Sequence, residues 1–391
     1  MPTRHVRLFL VSFLILYFEL LFIRWIPDGV HVLSFLGNFV LLSCFLGMGV
    51  GLARLPGELE DRVFVHRFLA IASLLIGFLA LFLYFRIDVP PPNQDVFLND
   101  DAFIQGTRSL HVNLYVTIVL FCGLVAGAFV PLGTLLRRYL DQNPPLVGYS
   151  LNILASLAGI GVFSLLSLLN TGPPIWLALG LVLLWPLAER KVVAVAVSLV
   201  LAAGVFGLDP ALERAHGYEK FWSPYYNVRL FTQQNGDLQI YIGNSCLLTA
   251  VDLSPERNNQ LHRVFYAFPY RFQPHPRRVL VLGSGMGNDV AMALLQGSEH
   301  VDAVEIDPVV ARLGRQRHPL HAYNDPRVTL INDDARHYLS HCRERYDLIV
   351  FGTLDSHGLF SHMSSLKMEN YVYTRECFQQ ARSLLTDRGV L

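Results

Sequence analysis

The sequence predicts two unlike halves: a multi-pass α-helical membrane bundle, then a small antiparallel β unit leading into a doubly wound α/β domain with a parallel sheet. Three observations predict this. Only 16% of the 391 residues are charged, against roughly 25% in soluble chains, and the deficit is one-sided. Residues 1–208 carry 12 Lys+Arg and 11 Asp+Glu, and residues 209–391 carry 19 and 20. Apolar runs long enough for a bilayer core recur through the first half. In the second half short apolar runs alternate with helical stretches, and each run ends in glycines or acids.

In order, the apolar runs give seven spans: Leu8–Ile26, Val32–Ala53, Phe68–Phe85, Val112–Leu136, Leu146–Leu169, Ile175–Leu187 and Val192–Leu208, the sixth being short. Arg4 and Arg7 before the first run imitate a signal peptide, but no small-residue cleavage site follows while Glu19 and Arg24 do. The run reads as a retained first helix. Gly47-Met48-Gly49-Val50-Gly51 and Ala155–Gly161 supply small residues for close helix packing in lipid. Glu19 and Arg24 have two readings, a packed carboxyl beside a snorkelling guanidinium, or part of a polar pocket. Basic residues cluster on alternate loops, which places the N-terminus in the cytoplasm and the Pro90-Pro91-Pro92 loop outside. Seven crossings would then export the second half. The adopted reading is that the short sixth run is no full crossing and that the soluble domain is cytoplasmic.

Net charge is zero and near zero in each half, which leaves no electrostatic footprint for nucleic acid. Cys44, Cys122, Cys246, Cys342 and Cys377 show no C-x-x-C and no zinc-like His spacing, so no metal is expected. Their scatter fits a reducing compartment.

The domain boundaries read as 1–208 for the bundle, 209–272 for the β unit and a connecting helix, and 273–391 for the α/β domain. Strands Tyr226–Phe231, Leu238–Ile242 and Cys246–Val251 are separated by Asn235-Gly236-Asp237 and Gly243-Asn244, both hairpin signals. A helix follows from Pro255 to about Phe268, with Ser254 as its N-cap. The parallel strands are expected at Val279–Leu282, Val301–Glu305, Val328–Asn332 and Leu348–Phe351. Helices are expected near Asn288–Gln296, Val309–Gln316, Ala335–Cys342 and Thr374–Leu385. The chain stops at Gly389-Val390-Leu391, where a further strand would begin, so a sheet of five to seven strands is read as cut short.

The chemistry concentrates at the strand ends. Val279–Leu282 is followed by Gly283-Ser284-Gly285-Met286-Gly287 and a helix start, the parts that bring backbone amides against a nucleotide. Glu305 closes the next strand about eighteen residues later, where a carboxylate can accept both hydroxyls of a ribose. G-x-G-x-G differs from the G-x-G-x-x-G of dinucleotide sites and favours the adenosyl-methionine, methyltransferase-type Rossmann-like domain. Tight helix–strand packing is the alternative use of these glycines. Asp333-Asp334 and Asp355 stand at the third and fourth strand ends.

From Ser223 to Leu391 the sequence resembles the spermidine synthases, polyamine aminopropyltransferases. The resemblance is carried by Ser223-Pro224-Tyr225, the VLVLGSGMGND loop, Val304-Glu305-Ile306-Asp307, Asp334-Ala335 and Tyr346-Asp347-Leu348-Ile349-Val350. Tyr17–Trp25 and Val147-Gly148-Tyr149 to Gly159 look like the helical bundle of the membrane-bound bacterial relatives, which implies a bacterial inner (plasma) membrane. The resemblance implies S-adenosylmethionine or decarboxylated S-adenosylmethionine as the bound sulfonium, with Glu305 on the ribose. Gly283, Ser284, Gly285 and Gly287 would line its sulfonium side, Asp334 and Ala335 the adenine, and His262 would lie near the transferred group. The chain departs from the family at two acids: Met286 stands in the glycine loop, and Gly352 stands where the family has its general base. The pair left in that region is Asp355 and His357, an acid–base candidate. The expected activity is alkyl transfer, methyl or aminopropyl, to a small-molecule acceptor, and a homo-oligomer is allowed. Two alternatives stay open: genuine polyamine synthesis with an altered acceptor site, and a non-catalytic nucleotide-sensing domain regulating a membrane transporter.

Overall fold

The computed structural model describes residues 4–30, 33, 37–54, 61–85, 87, 89, 110, 112–188, 191–242, 245–257, 259–352 and 371–391. It forms two compact units, the second beginning at Tyr218. Asp355 and His357 lie outside the described residues, as do Gly243-Asn244 and the triple-proline loop.

The first unit is helical: α1 Arg4–Gly29, α2 Gly37–Ala53, α3 Asp61–Phe85, α4 Leu114–Asp141, α5 Pro145–Leu168, α6 Pro173–Leu184 and α7 Lys191–His216. Five of these are long and apolar enough to cross a bilayer, and two shorter apolar helices cover Asn38–Ala53 and Pro173–Leu187. The twelve residues of α6 rise only about 18 Å at 1.5 Å per residue. Small residues set the tightest helix contacts. A Cβ on Gly47 or Gly51 of α2 would meet the backbone of α4 at Ala126 and Val130, and one on Gly133 of α4 would meet Met48 in return. Gly49, between them in sequence, faces nothing within 4 Å. The i, i+4 spacing therefore selects one glycine face for backbone-to-backbone approach. Gly159 of α5 approaches the Phe13 carbonyl in the same way. Glu19 is buried, and the Arg24 guanidinium stacks 5.1 Å from the Trp176 ring. Helix α7 continues through Pro210, eight residues past the expected boundary at Leu208, until Gly217 at φ 68° ends it. A proline inside a long apolar helix loses one hydrogen bond without stopping the helix when the flanking turns hold.

The second unit opens with a four-stranded antiparallel sheet in sequence order: β1 Glu219–Trp222, β2 Asn227–Thr232, β3 Leu238–Ile242 and β4 Ser245–Ala250. Sequence periodicity missed β1, whose four residues are too few to show alternation. The connecting helix, α8, covers Gln260–Ala267 with Asn259 at its N-terminal boundary and no side-chain cap, so both the Pro255 start and the Ser254 cap are corrected. The reason is Asp252. Its Oδ1 accepts the Ser254 amide at 2.9 Å and its carbonyl accepts Asn259 Nδ2 at 2.9 Å, holding this stretch in a turn. A 3-10 turn, Phe268–Arg271, follows.

The α/β part alternates β5 Arg278–Leu282, α9 Asn288–Leu295, β6 His300–Glu305, α10 Pro308–Arg317, β7 Val328–Asn332, α11 Ala335–His341, β8 Tyr346–Phe351, α12 Arg375–Ser383 and β9 Leu385–Val390. All five strands are parallel, in the order β7-β6-β5-β8-β9. The final strand is thus β9, where the sequence ended its last helix. Val279, Leu280, Val281 and Leu282 are fully buried on the central strand, each worth about 1.5–3 kcal/mol of burial. Helices α10 and α11 begin at Asp307 and Asp334, whose carboxylates accept the next turn's amides.

Candidate binding site at the strand tips

Where β6 and β8 leave β5 in opposite directions, the chain connections diverge and a crevice opens at the carboxyl edge of the sheet. The two central tips touch: Gly352 N donates to Leu282 O at 2.8 Å. Gly283, Gly285 and Gly287 hold φ values of 69°, 55° and 108°, a region that disfavours any Cβ. Backbone conformation therefore requires all three glycines, beyond any packing need.

The loop's amides differ from expectation. Gly283 N and Ser284 N donate to Val304 O at 2.9 and 3.0 Å, and Gly287 N donates to Ser284 O at 2.9 Å. Gly285 N donates to Glu305 Oε2 at 2.8 Å. Four of the five amides expected to face a ligand thus fold the loop itself, because a buried amide needs a partner in every state of the protein. What the loop offers outward is glycine backbone without side chains. Tyr323 clamps it from below, its hydroxyl donating to Gly285 O at 2.7 Å and lying 2.8 Å from Ser284 Oγ.

Glu305 is 8% exposed at the tip of β6 and points at the loop. Its Oε1 accepts the Asp307 amide at 2.9 Å. Burial pushes its carboxyl up to about 7, while the amides of Asp307 and Gly285 pull the other way. Asp334 caps α11 through Oδ1, at 2.9 Å from both Arg336 N and His337 N, and is exposed, whereas Ala335 is buried. Asp333 accepts from His337 Nδ1 at 2.7 Å. His262 is half-buried on α8, and no hydrogen bond among the described residues joins it to the glycine loop.

Two residues the sequence reading gave no role now stand at the site. Tyr225 is held by a serine turn, Ser223 Oγ accepting the Tyr225 and Tyr226 amides at 3.1 and 2.8 Å. Burial, then Asp307, Asp334, Glu305 and Asp333, raise its phenol. Asp289, on the first turn of α9, has its carboxyl pushed up to about 7 by burial. Both lie in stretches that carry the resemblance, Ser223-Pro224-Tyr225 and the loop ending in Asn288-Asp289.

The two departures from the expected acids have packing reasons. Met286 is 1% exposed and belongs to an apolar cluster with Val228, Ile240, Val309 and Leu313, so a carboxylate there would be desolvated. A Cβ at Gly352 would fall inside the contact radius of the Gly283 carbonyl oxygen. Asn288 ties the two sheets together: its Nδ2 donates to Thr249 O at 2.7 Å and Tyr266 OH at 2.8 Å. Its Oδ1 accepts Val251 N at 3.2 Å and lies 3.0 Å from His318 Nε2. Burial lowers His318 to about 4, so the ring is neutral. No group of three or more His, Cys, Asp or Glu suited to a metal occurs among the described residues.

A parallel sheet with a glycine loop at its first tip and an acid at its second is the layout that α/β domains use to bind nucleotides. Residues 259–391 match the spermine/spermidine synthase domain, and this part of the chain is spermidine synthase-like. The chain is 28% identical over 120 residues to a polyamine aminopropyltransferase of Korarchaeum cryptofilum, covering 30% of this chain and 35% of that protein. It is 30% identical over 122 residues to that of Pectobacterium carotovorum, covering 30% and 42%. With that of Pyrobaculum calidifontis it shares 33% over 125 residues, covering 30% and 41%. The matches span less than half the length of these relatives. The crystal structure of spermidine synthase from Thermotoga maritima aligns at a TM-score of 0.32 with 17% identity, covering 41% of this chain and 51% of that one.

Proposed function

We propose that the second unit binds a sulfonium nucleoside, S-adenosylmethionine or its decarboxylated form, and transfers an alkyl group from it to a small-molecule acceptor. The carrying observation is Glu305, a buried carboxylate aimed at a glycine loop beside the β5–β8 crevice. When ionised it accepts the ribose hydroxyls, and the open glycine backbone admits the sulfonium chain. Asp333, the exposed Asp334 and Tyr225 fit the adenosine end. Similarity to polyamine aminopropyltransferases supports a transferase with an aminopropyl group as the moiety carried. Asp355 and His357 keep their proposed acid–base role.

The apolar helices of the first unit are read as a membrane anchor, with the transferase unit cytoplasmic on a bacterial inner membrane. Calorimetry of the full chain in lipid nanodiscs tests the binding claim. Either sulfonium nucleoside should bind, and Glu305→Ala should weaken it by about tenfold or more, as expected for lost charge-assisted hydrogen bonds. Absence of binding by both compounds overturns the proposal. A reporter enzyme fused after Leu391 that is active only outside the cytoplasm overturns the topology.

A further inference from the structure

Helix α11 carries two histidines that the proposed transfer does not use. His337 and His341 stand four residues apart, one helical turn from each other. Both are exposed, and their ring centroids lie 4.4 Å apart. The expectation of no metal came from the spacing of the cysteines; a His-x-x-x-His pair becomes one site only when the stretch is helical.

Hydrogen bonds fix where the ring protons sit. Asp333 Oδ2 and Oδ1 lie 2.7 and 3.0 Å from His337 Nδ1, and a carboxylate only accepts, so Nδ1 carries the proton. The His337 carbonyl lies 2.9 Å from His341 Nδ1 and also accepts the Ser340 hydroxyl at 2.8 Å. A carbonyl only accepts too, so His341 is protonated at Nδ1 as well. Each neutral ring therefore keeps its lone pair on Nε2, the nitrogen left to bind a metal. Asp333 is itself held by the Asp334 amide, which donates to Oδ1 at 2.8 Å. A carboxylate behind a ligating imidazole fixes the ring's orientation and raises its basicity.

The ring separation also selects a coordination geometry. With metal–nitrogen bonds of about 2.0–2.1 Å, two imidazoles on one ion have centroids about 4.5 Å apart when the bonds meet at a right angle and about 5.2 Å apart at the tetrahedral angle. The observed 4.4 Å matches the right angle. We propose that His337 and His341 form a site for a divalent transition-metal ion of right-angled coordination, nickel(II) or copper(II), bound through both Nε2 atoms with Asp333 as the positioning carboxylate. Two protein ligands leave the other positions to water, so the ion is exchangeable. The site stands on α11 and Asp333 and is independent of the sulfonium-transfer reading.

The test is calorimetric titration of nickel(II) into the full chain, free of affinity tags, in phosphatidylcholine nanodiscs at neutral pH, with empty nanodiscs subtracted and magnesium as the control ion. Wild type should bind nickel at least about tenfold more tightly than magnesium. His337→Ala and His341→Ala should each weaken nickel by about tenfold or more, and Asp333→Ala by about tenfold. Both histidines are exposed, so the metal-free urea midpoint of their variants should equal that of wild type, whereas nickel should raise the midpoint of wild type alone. With one equivalent of copper(II), electron paramagnetic resonance should show two coupled imidazole nitrogens in wild type and Asp333→Ala but one in either histidine variant, which separates the ligands from the positioning residue. Absence of nickel binding by wild type, or unchanged nickel affinity in either histidine variant, overturns the proposal. Unchanged affinity in Asp333→Ala overturns the role given to that carboxylate.

Discussion

Glu305 makes the stability of the second unit depend on pH in an unusual direction. Its carboxyl rises from 4.5 to about 7 on folding, chiefly through burial. The folded chain then binds the proton more tightly than the unfolded chain between those values, so stability falls as pH rises through that window and levels off above it. At 1.36 kcal/mol per unit, going from pH 5 to pH 8 removes about 2.5 kcal/mol from this group. Asp289, raised from 3.8 to about 7, adds a loss of the same sign and similar size. Glu305→Gln abolishes the first share. It also sets one amide nitrogen against a backbone donor, Gly285 or Asp307, which costs about 1–3 kcal/mol at every pH. Pulse proteolysis of the nanodisc-held chain in increasing urea, at pH 5 and pH 8, reads both effects. Wild type should be the more stable at pH 5, and the pH 5 to 8 loss should shrink by about half in Glu305→Gln. A wild type that gains stability between pH 5 and 8, or a variant with an unchanged slope, would refute the placement of a buried, proton-binding Glu305 beneath the loop.

Three further outcomes follow from the same geometry. Sulfonium-nucleoside affinity should strengthen from pH 6 to pH 8, since ribose hydroxyls prefer the ionised Glu305, and calorimetry in two buffers should show protons released on binding. Gly285→Ala forces a side chain onto φ 55° with its Cβ 2.8 Å from Leu248 Cδ2, so it should lose about 1–3 kcal/mol and bind nucleoside at least tenfold more weakly. Restoring an acid at the fourth tip, Gly352→Asp, should weaken nucleoside binding and confer no diamine binding, because its Cβ meets the Gly283 carbonyl; calorimetry with 1,4-diaminobutane checks it.

Much of the fold could be read along the chain. The four strands from Val279 to Phe351 and the helices between them lie within a few residues of their expected positions, because burial on both faces of a parallel sheet writes continuous apolar runs into sequence. Gly283, Gly285, Gly287 and Glu305 were legible for the same reason: a strand, a turn and a returning strand form one local unit. Ser254 as a cap failed because Asp252 competed for the same turn, and β1 was too short to carry a period.

What the sequence by itself determined is the contrast between an apolar helical half and an alternating α/β half, together with the acid-and-glycine pattern at the strand ends. Tertiary structure alone decided which atoms remain for a ligand. It turned the loop's amides inward onto Val304 and Glu305, buried Met286 and closed the space at Gly352. The physical reason is range: hydrophobic periodicity records which face of an element is buried, whereas the partner that satisfies a given amide or carboxylate comes from another element, and no local pattern names it.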